Sequence, residues 1–346
     1  MPDARVQAAV DHWGPRFIQA GVDANDFART TARVETWDEW LGAWCDTASE
    51  HVELARDAEA LGRVVTAGEA WLRAAVCFHF GKFVWVVDEG RARAAADQAV
   101  AALREAHRLL DPEAERVEAP LDGASVVANL RRPRGAARLP LVVLIAGLDS
   151  TKEEFFLLEN LFHARGMATL SLDGPGQGEG GYELPLRHDF EAGVTAILDA
   201  VGDFPRIGAL GVSLGGYYAP RAAAFEPRIS AVAGISGPFN FGEIWDHLPP
   251  LTRETFVRKS HAADEEDGRR AASDLDLDGV IEQLDKPALF VTGKLDRLIP
   301  WQQTKRAADA APKGEFVLFE DGNHVCANVP YKARPLVADW LREKLA

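Results

Sequence analysis

The stretch Ile207-Gly208-Ala209-Leu210-Gly211-Val212-Ser213-Leu214-Gly215-Gly216 decides how this chain is read. An apolar strand runs directly into Gly-Val-Ser-Leu-Gly and then into Tyr217-Tyr218-Ala219-Pro220-Arg221-Ala222-Ala223-Ala224, a helix-compatible run. Turning from strand to helix in so few residues forces Ser213 into strained backbone angles. The residues two before and two after, Gly211 and Gly215, must lack side chains for the two elements to pass. The pattern predicts a nucleophile elbow. Its Ser213 hydroxyl stands above a sheet, and the Leu214 N–H at the helix start points into the same space.

On both sides of the elbow, short apolar runs alternate with helical stretches. Residues 139–146 are nearly continuously apolar, as a strand covered on both faces requires. Similar runs at 168–172, 229–235, 288–292 and 316–319 alternate with helical patterns at 190–201 and 333–345, which predicts an α/β fold with a doubly wound, mostly parallel sheet. Ahead of these, 117–120 and 125–130 read as a hairpin turning at Asp122-Gly123.

Residues 6–110 have a different texture, rich in Ala, Glu, Arg and Trp. Ala96, Val100, Leu103 and Leu110 recur near the helical period, and Asp111-Pro112 stops the run. Four or five helices and no strand are predicted there. The boundary places a helical domain at 1–112 and an α/β core at 113–346. Within the helical domain, 71–87 is apolar and aromatic on more than one face, so it reads as a central helix packed on two sides; Phe78 and His79 reach a substrate only if one end faces a cleft. Within the core, 238–285 is long enough to be either a lid or a disordered segment. Trp245 and Pro249-Pro250 near its start favour a lid, and Asp264-Glu265-Glu266-Asp267 reads as a solvated face.

Composition narrows the partners. With 346 residues, 47% hydrophobic and 26% charged, the chain is a folded globular protein. A net charge of −15 repels phosphates, which argues against nucleic acid or an anionic membrane surface as partner. Cys45, Cys77 and Cys326 are far apart, odd in number and without C-x-x-C spacing, so neither a disulfide framework nor a zinc knuckle is expected. Lacking a leader-like start or a long apolar run, the chain is expected to be cytoplasmic.

A serine hydroxyl needs a base, and the base needs a group that fixes its tautomer. Of nine histidines only His324 follows all the core strands, in the loop Phe319-Glu320-Asp321-Gly322-Asn323-His324, and it is the expected base. Asp296, in the loop leaving the 288–292 strand, is the expected orienting acid; Asp321 is the competitor, too near His324 in sequence to face its ring easily. Oxyanion donors are expected at the Leu214 and Leu148 N–H groups, the latter in Gly147-Leu148-Asp149-Ser150 after the first core strand. Thr151 to Glu154 reads as a capping box that starts the next helix. Asp173-Gly174-Pro175-Gly176-Gln177-Gly178 is a tight loop that shapes the site; it lacks the lysine of a phosphate cradle. Gly147, Asp149, Phe78, His79, Glu243 and Trp245 complete the candidate substrate contacts.

Residues 147–154, the Asp-Gly-Pro-Gly-Gln-Gly loop and the elbow, preceded by about a hundred helical residues, resemble the 2,6-dihydroxypseudooxynicotine hydrolase family. Fungal polyketide-shortening hydrolases and fermentation-respiration switch esterases are similar in pattern. The resemblance implies an α/β-hydrolase that splits carbon–carbon bonds, with Ser213, Asp296 and His324 as triad and an N-terminal helical cap. It also implies no metal or organic cofactor, and a homodimer. That family carries a further glutamate near its lid, for which Glu243 and Asp246 are the acids available here. The expected substrate is a small carbonyl compound of β-diketone or acyl-phenol type. A carboxylesterase or thioesterase is the alternative, and a non-catalytic binding protein of the same fold is the rival from another class.

Overall fold

The computed structural model describes residues 3–135 and 138–346, which divide into two compact units: 3–114 with 153–157, and 115–152 with 158–346. In the first unit the alanine-rich periodic sequence forms five helices, α1 (Ala4–Ala20), α2 (Ala24–Thr31), α3 (Trp40–Ala60), α4 (Val64–Lys82) and α5 (Glu89–Leu110). Helix α4 packs against both α3 and α5. This explains why its sequence is apolar on more than one face. Phe17 stacks on Phe80 at 3.9 Å, and the Trp40 and Trp85 indoles donate to the Phe80 and Trp37 carbonyls. Burying these large rings therefore strands neither indole N–H.

The second unit is built on eight strands: β1 (Glu115–Leu121), β2 (Ala124–Arg131), β3 (Leu141–Ile145), β4 (Ala168–Asp173), β5 (Ile207–Val212), β6 (Ile229–Ile235), β7 (Ala288–Gly293) and β8 (Gly314–Phe319). They order as β1-β2-β4-β3-β5-β6-β7-β8. The β1–β2 and β2–β4 pairs are antiparallel and all others parallel. Asp122 and Gly123 turn the β1–β2 hairpin at φ 49° and 85°, the mirror-image turn that suits strand twist. The remaining helices are α6 (Phe156–His163), α7 (Glu191–Val201), α8 (Gly215–Phe225), α9 (Pro250–Lys259), α10 (Glu265–Ser273), α11 (Trp301–Ala310) and α12 (Pro330–Lys344). Every residue of β3 and β4 is buried, as parallel strands covered on both faces must be.

One alternative offered by the sequence falls. Residues 238–285 are not disordered: they hold α9, α10 and two short 3-10 turns, and Phe239, Phe241, Trp245 and Phe256 join the main hydrophobic core. The acidic run Asp264 to Asp267 caps and opens α10, where carboxylates meet the helix dipole. Residues Lys152–Glu154 make a 3-10 turn, and the Glu154 carboxylate takes both Nε and Nη2 of Arg16 at 2.7 Å and His79 Nε2 at 3.1 Å. Among the described residues no helix is long and apolar enough to cross a membrane.

Candidate active site

Ser213 sits between the end of β5 and the start of α8 at φ 58°, a conformation L-residues rarely adopt. What holds it there is crowding. A Cβ on Gly211 would lie 1.8 Å from the Gly215 carbonyl oxygen, and one on Gly215 would lie 2.2 Å from the Ile145 oxygen, so strand and helix pass only because both positions lack side chains. Gly216 N–H donates to the Ser213 carbonyl at 2.7 Å, closing the turn.

The other two residues arrive from the ends of β7 and β8. His324 Nε2 lies 2.9 Å from Ser213 Oγ, and its Nδ1 lies 2.8 Å from Asp296 Oδ2. Asp296 Oδ1 accepts the N–H groups of Leu298 and Ile299, each at 2.9 Å. Burial pushes the Asp296 carboxyl up, but the His324 imidazole and those two N–H groups outweigh it and hold the acid below its usual range. An ionised Asp296 can only accept, so Nδ1 carries the ring proton and Nε2 presents a lone pair to the Ser213 hydroxyl. This arrangement can take a proton from serine and return it to a leaving group. Asp321, the competing acid, is exposed and bound to Lys332 Nζ at 2.6 Å.

The loop after β3 lies against the serine. A Cβ on Gly147 would stand 3.0 Å from Ser213 Cβ and 3.4 Å from its Oγ, so the Gly147 backbone lies close to the hydroxyl. Leu148 and Leu214 keep their side chains buried in the core, so what they can offer a ligand is the backbone N–H. Asp149 follows in the same loop, half-buried. Trp245 is fully buried with its ring edge-on to Phe256 at 5.5 Å, and Glu243 is an exposed side chain held by Arg306 and Gln303 of α11. Asp246 is likewise exposed and paired with Arg269. Phe78 and His79 belong to α4 of the helical unit, both buried; His79 is the hydrogen-bonded core residue already described.

Sequence reasoning missed the groups that brace the site. Ser236, just past β6, is buried at φ 52°, and its Oγ accepts the Val325 N–H at 3.1 Å. Val325 and Cys326 are themselves at φ 52° and 54°, so the turn after His324 is strained and pinned from β6. Burial raises the Cys326 thiol to about 12, which keeps it un-ionised beside the imidazole. Lys152 is buried with its ammonium 2.8 Å from both Asp173 and Glu179, which with Glu153 bring three carboxylates within 4.8 Å of one another. Nothing in the spacing of these residues betrays their partners.

Residues 29–241 match the family described as esterase FrsA-like. The chain belongs to the FrsA-like esterase family. It is 35% identical over 344 residues to the 2,6-dihydropseudooxynicotine hydrolase of Paenarthrobacter nicotinovorans, covering 96% of this chain and 92% of that one. The alpha/beta hydrolase xenA of Xenoacremonium sinensis is 34% identical over 245 residues, 65% of this chain and 57% of that one. Among solved structures, that of the 2,6-dihydroxy-pseudo-oxynicotine hydrolase superposes with a TM-score of 0.87 at 34% identity, covering 96% of each chain. The FrsA-like member described here is thus a hydrolase with the α/β-hydrolase fold and an N-terminal helical region.

Proposed function

We propose that this chain is a cofactor-independent serine hydrolase that cleaves a carbon–carbon bond next to a carbonyl, with Ser213 as nucleophile, His324 as base and Asp296 as orienting acid. The observation that carries the proposal is the unbroken hydrogen-bonded line from Asp296 Oδ2 through the imidazole to Ser213 Oγ, 2.8 and 2.9 Å long. His324 takes the serine proton as Oγ adds to the carbonyl carbon, and the Leu148 and Leu214 N–H groups receive the oxyanion. The tetrahedral adduct collapses by expelling carbon as a carbanion, which His324 protonates. Water, deprotonated by the same imidazole, then releases the acyl group as a carboxylic acid.

Only a stabilised carbanion can depart in this way, so the substrate is a β-diketone, leaving as an enolate, or an acyl phenol, leaving from an electron-rich ring. Likeness to the pseudooxynicotine hydrolase along nearly the whole chain favours this class. The family description favours a second reading, ester hydrolysis by the same three residues with an easier leaving group.

The test is turnover of an aryl 1,3-diketone beside p-nitrophenyl acetate, with Ser213→Ala as control and a fluorophosphonate as label. Diketone cleavage that Ser213→Ala abolishes is expected. Turnover confined to the ester leaves the second reading. A folded wild type that neither turns over nor labels leaves a binding role.

A further inference from the structure

The side chains of the tight loop Asp173 to Gly178 reach the loop that carries Leu148. Gln177, 1% exposed, donates from Nε2 to the Ala146 carbonyl at 2.7 Å and to the Gly147 carbonyl at 3.2 Å. Its own Oε1 accepts the Gly174 N–H at 3.3 Å, which fixes which way round the amide lies. Five residues after Gly147, the same tight loop holds the chain again: Asp173 Oδ1 accepts the Lys152 N–H at 2.9 Å and Oδ2 accepts Lys152 Nζ at 2.8 Å. All three side chains are buried. Residues 147–152 are thus tied down at both ends by one short segment that follows β4.

The consequence lies in one peptide plane. In a trans peptide the C=O of residue 147 and the N–H of residue 148 belong to the same rigid unit and point in opposite directions. Gripping the Gly147 oxygen from the Gln177 side therefore turns the Leu148 N–H the other way and stops the plane from rotating. That plane starts at Gly147, whose backbone lies close against Ser213.

We infer that Gln177 is a positioning residue for the oxyanion donor: it acts on the reaction only by holding the Gly147-Leu148 peptide so that the Leu148 N–H faces the developing charge. Lys152 and Asp173 anchor the far end of the same loop. The assignment rests on the serine mechanism proposed above. A glutamine does this better than a hydroxyl or a carboxylate because one amide nitrogen supplies two donors, enough for two neighbouring carbonyls, while its oxygen returns a bond to its own loop. It also accounts for the glutamine inside the Asp-Gly-Pro-Gly-Gln-Gly loop, where glycines alone would make the turn.

The experiment compares the full-length wild type with Gln177→Met, Gln177→Glu and Ser213→Ala, on whichever of the diketone and p-nitrophenyl acetate the wild type turns over. Inhibition by an aryl trifluoromethyl ketone, which forms an oxyanion on serine, is measured in parallel. Loss of a direct oxyanion donor costs about 10²–10³-fold in kcat, so an indirect one is expected to cost roughly 10–100-fold. KM should stay within about twofold of wild type, and the inhibition constant for the ketone should rise by the same factor as kcat/KM falls. Either folded variant retaining kcat and ketone affinity within twofold overturns the assignment. So does a loss confined to KM, or loss of the cooperative melt in both variants, which makes Gln177 a folding determinant instead. If Ser213→Ala keeps wild-type turnover, the serine mechanism itself has failed. If Ser213→Ala is inactive while the Gln177 variants are unimpaired, only the positioning role falls.

Discussion

At the scale of single residues, Asp296 is the informative one, because its two oxygens have different tasks. In Asp296→Asn the carbonyl oxygen keeps the Leu298 and Ile299 N–H bonds, which turns the NH₂ group toward His324 Nδ1. Nδ1 must then be the acceptor, the ring proton moves to Nε2, and the base has no lone pair for serine. The expected result is a fall in kcat of about 10⁴-fold with an unchanged melting temperature, read by steady-state kinetics and a thermal scan. A loss under tenfold would remove the orienting role. These residues were legible in the sequence because each chemical need maps onto a position the chain itself marks: an elbow flanked by glycines, and loops leaving the last two strands. Ser236, Gln177 and Lys152 were not, since a brace is defined by what it touches across the fold.

At the scale of elements, the link between α7, the end of α8 and β6 runs through one buried carboxylate. Glu226, just after α8, accepts the Arg228 backbone N–H at 3.0 Å, its Nε at 2.8 Å and Nη2 at 2.7 Å, and Thr195 Oγ1 of α7 at 2.8 Å. The Arg228 guanidinium above all holds this acid down to about 2. Its folded value lies below the unfolded one, so its stabilisation is complete above about pH 4.5 and is lost as pH falls toward 2. Glu226→Gln should therefore cost about 1–2 kcal/mol at pH 7, less than breaking a fully enclosed pair because Arg228 is partly open to water. The difference from wild type should shrink through that window in urea titrations. A constant difference down to pH 2 would show that the charge is not what matters. Strand and helix positions were largely readable from apolar periodicity, whereas the 238–285 excursion was not. Its aromatic residues sit among prolines and acids with no clean period, so the pattern does not reveal that Trp245 and Phe256 pack into the core.

At the scale of the whole molecule, the chain does something no pattern announces: residues 153–157 leave the sheet-based unit and belong with the helices. The contact responsible joins Glu154 to Arg16, 138 positions earlier, and includes His79. His79 is completely buried, and desolvation above all lowers its imidazole to about 4, so the folded protein holds it neutral. An unfolded His79 takes up a proton near pH 6.5 while the folded one resists until about pH 4. The unfolded state therefore binds more protons across that interval, and stability is full above about pH 6.5 and declines as pH falls toward 4. Carboxylates such as Glu154 and Glu226 begin to weaken the fold only near pH 4.5, at the lower end of this window, so most of the histidine effect is separate on the pH axis. His79→Gln keeps a donor for Glu154 but cannot titrate. Between pH 6.5 and 4 the wild type should lose on the order of 2–3 kcal/mol relative to this variant. Tryptophan fluorescence is the suitable probe, because Trp13, Trp37, Trp40, Trp44, Trp71 and Trp85, six of the nine, lie in the helical unit. Parallel stability curves for the two proteins from pH 7 to pH 4 would mean that His79 is protonated in the folded state, and that its pairing with Glu154 outweighs its burial.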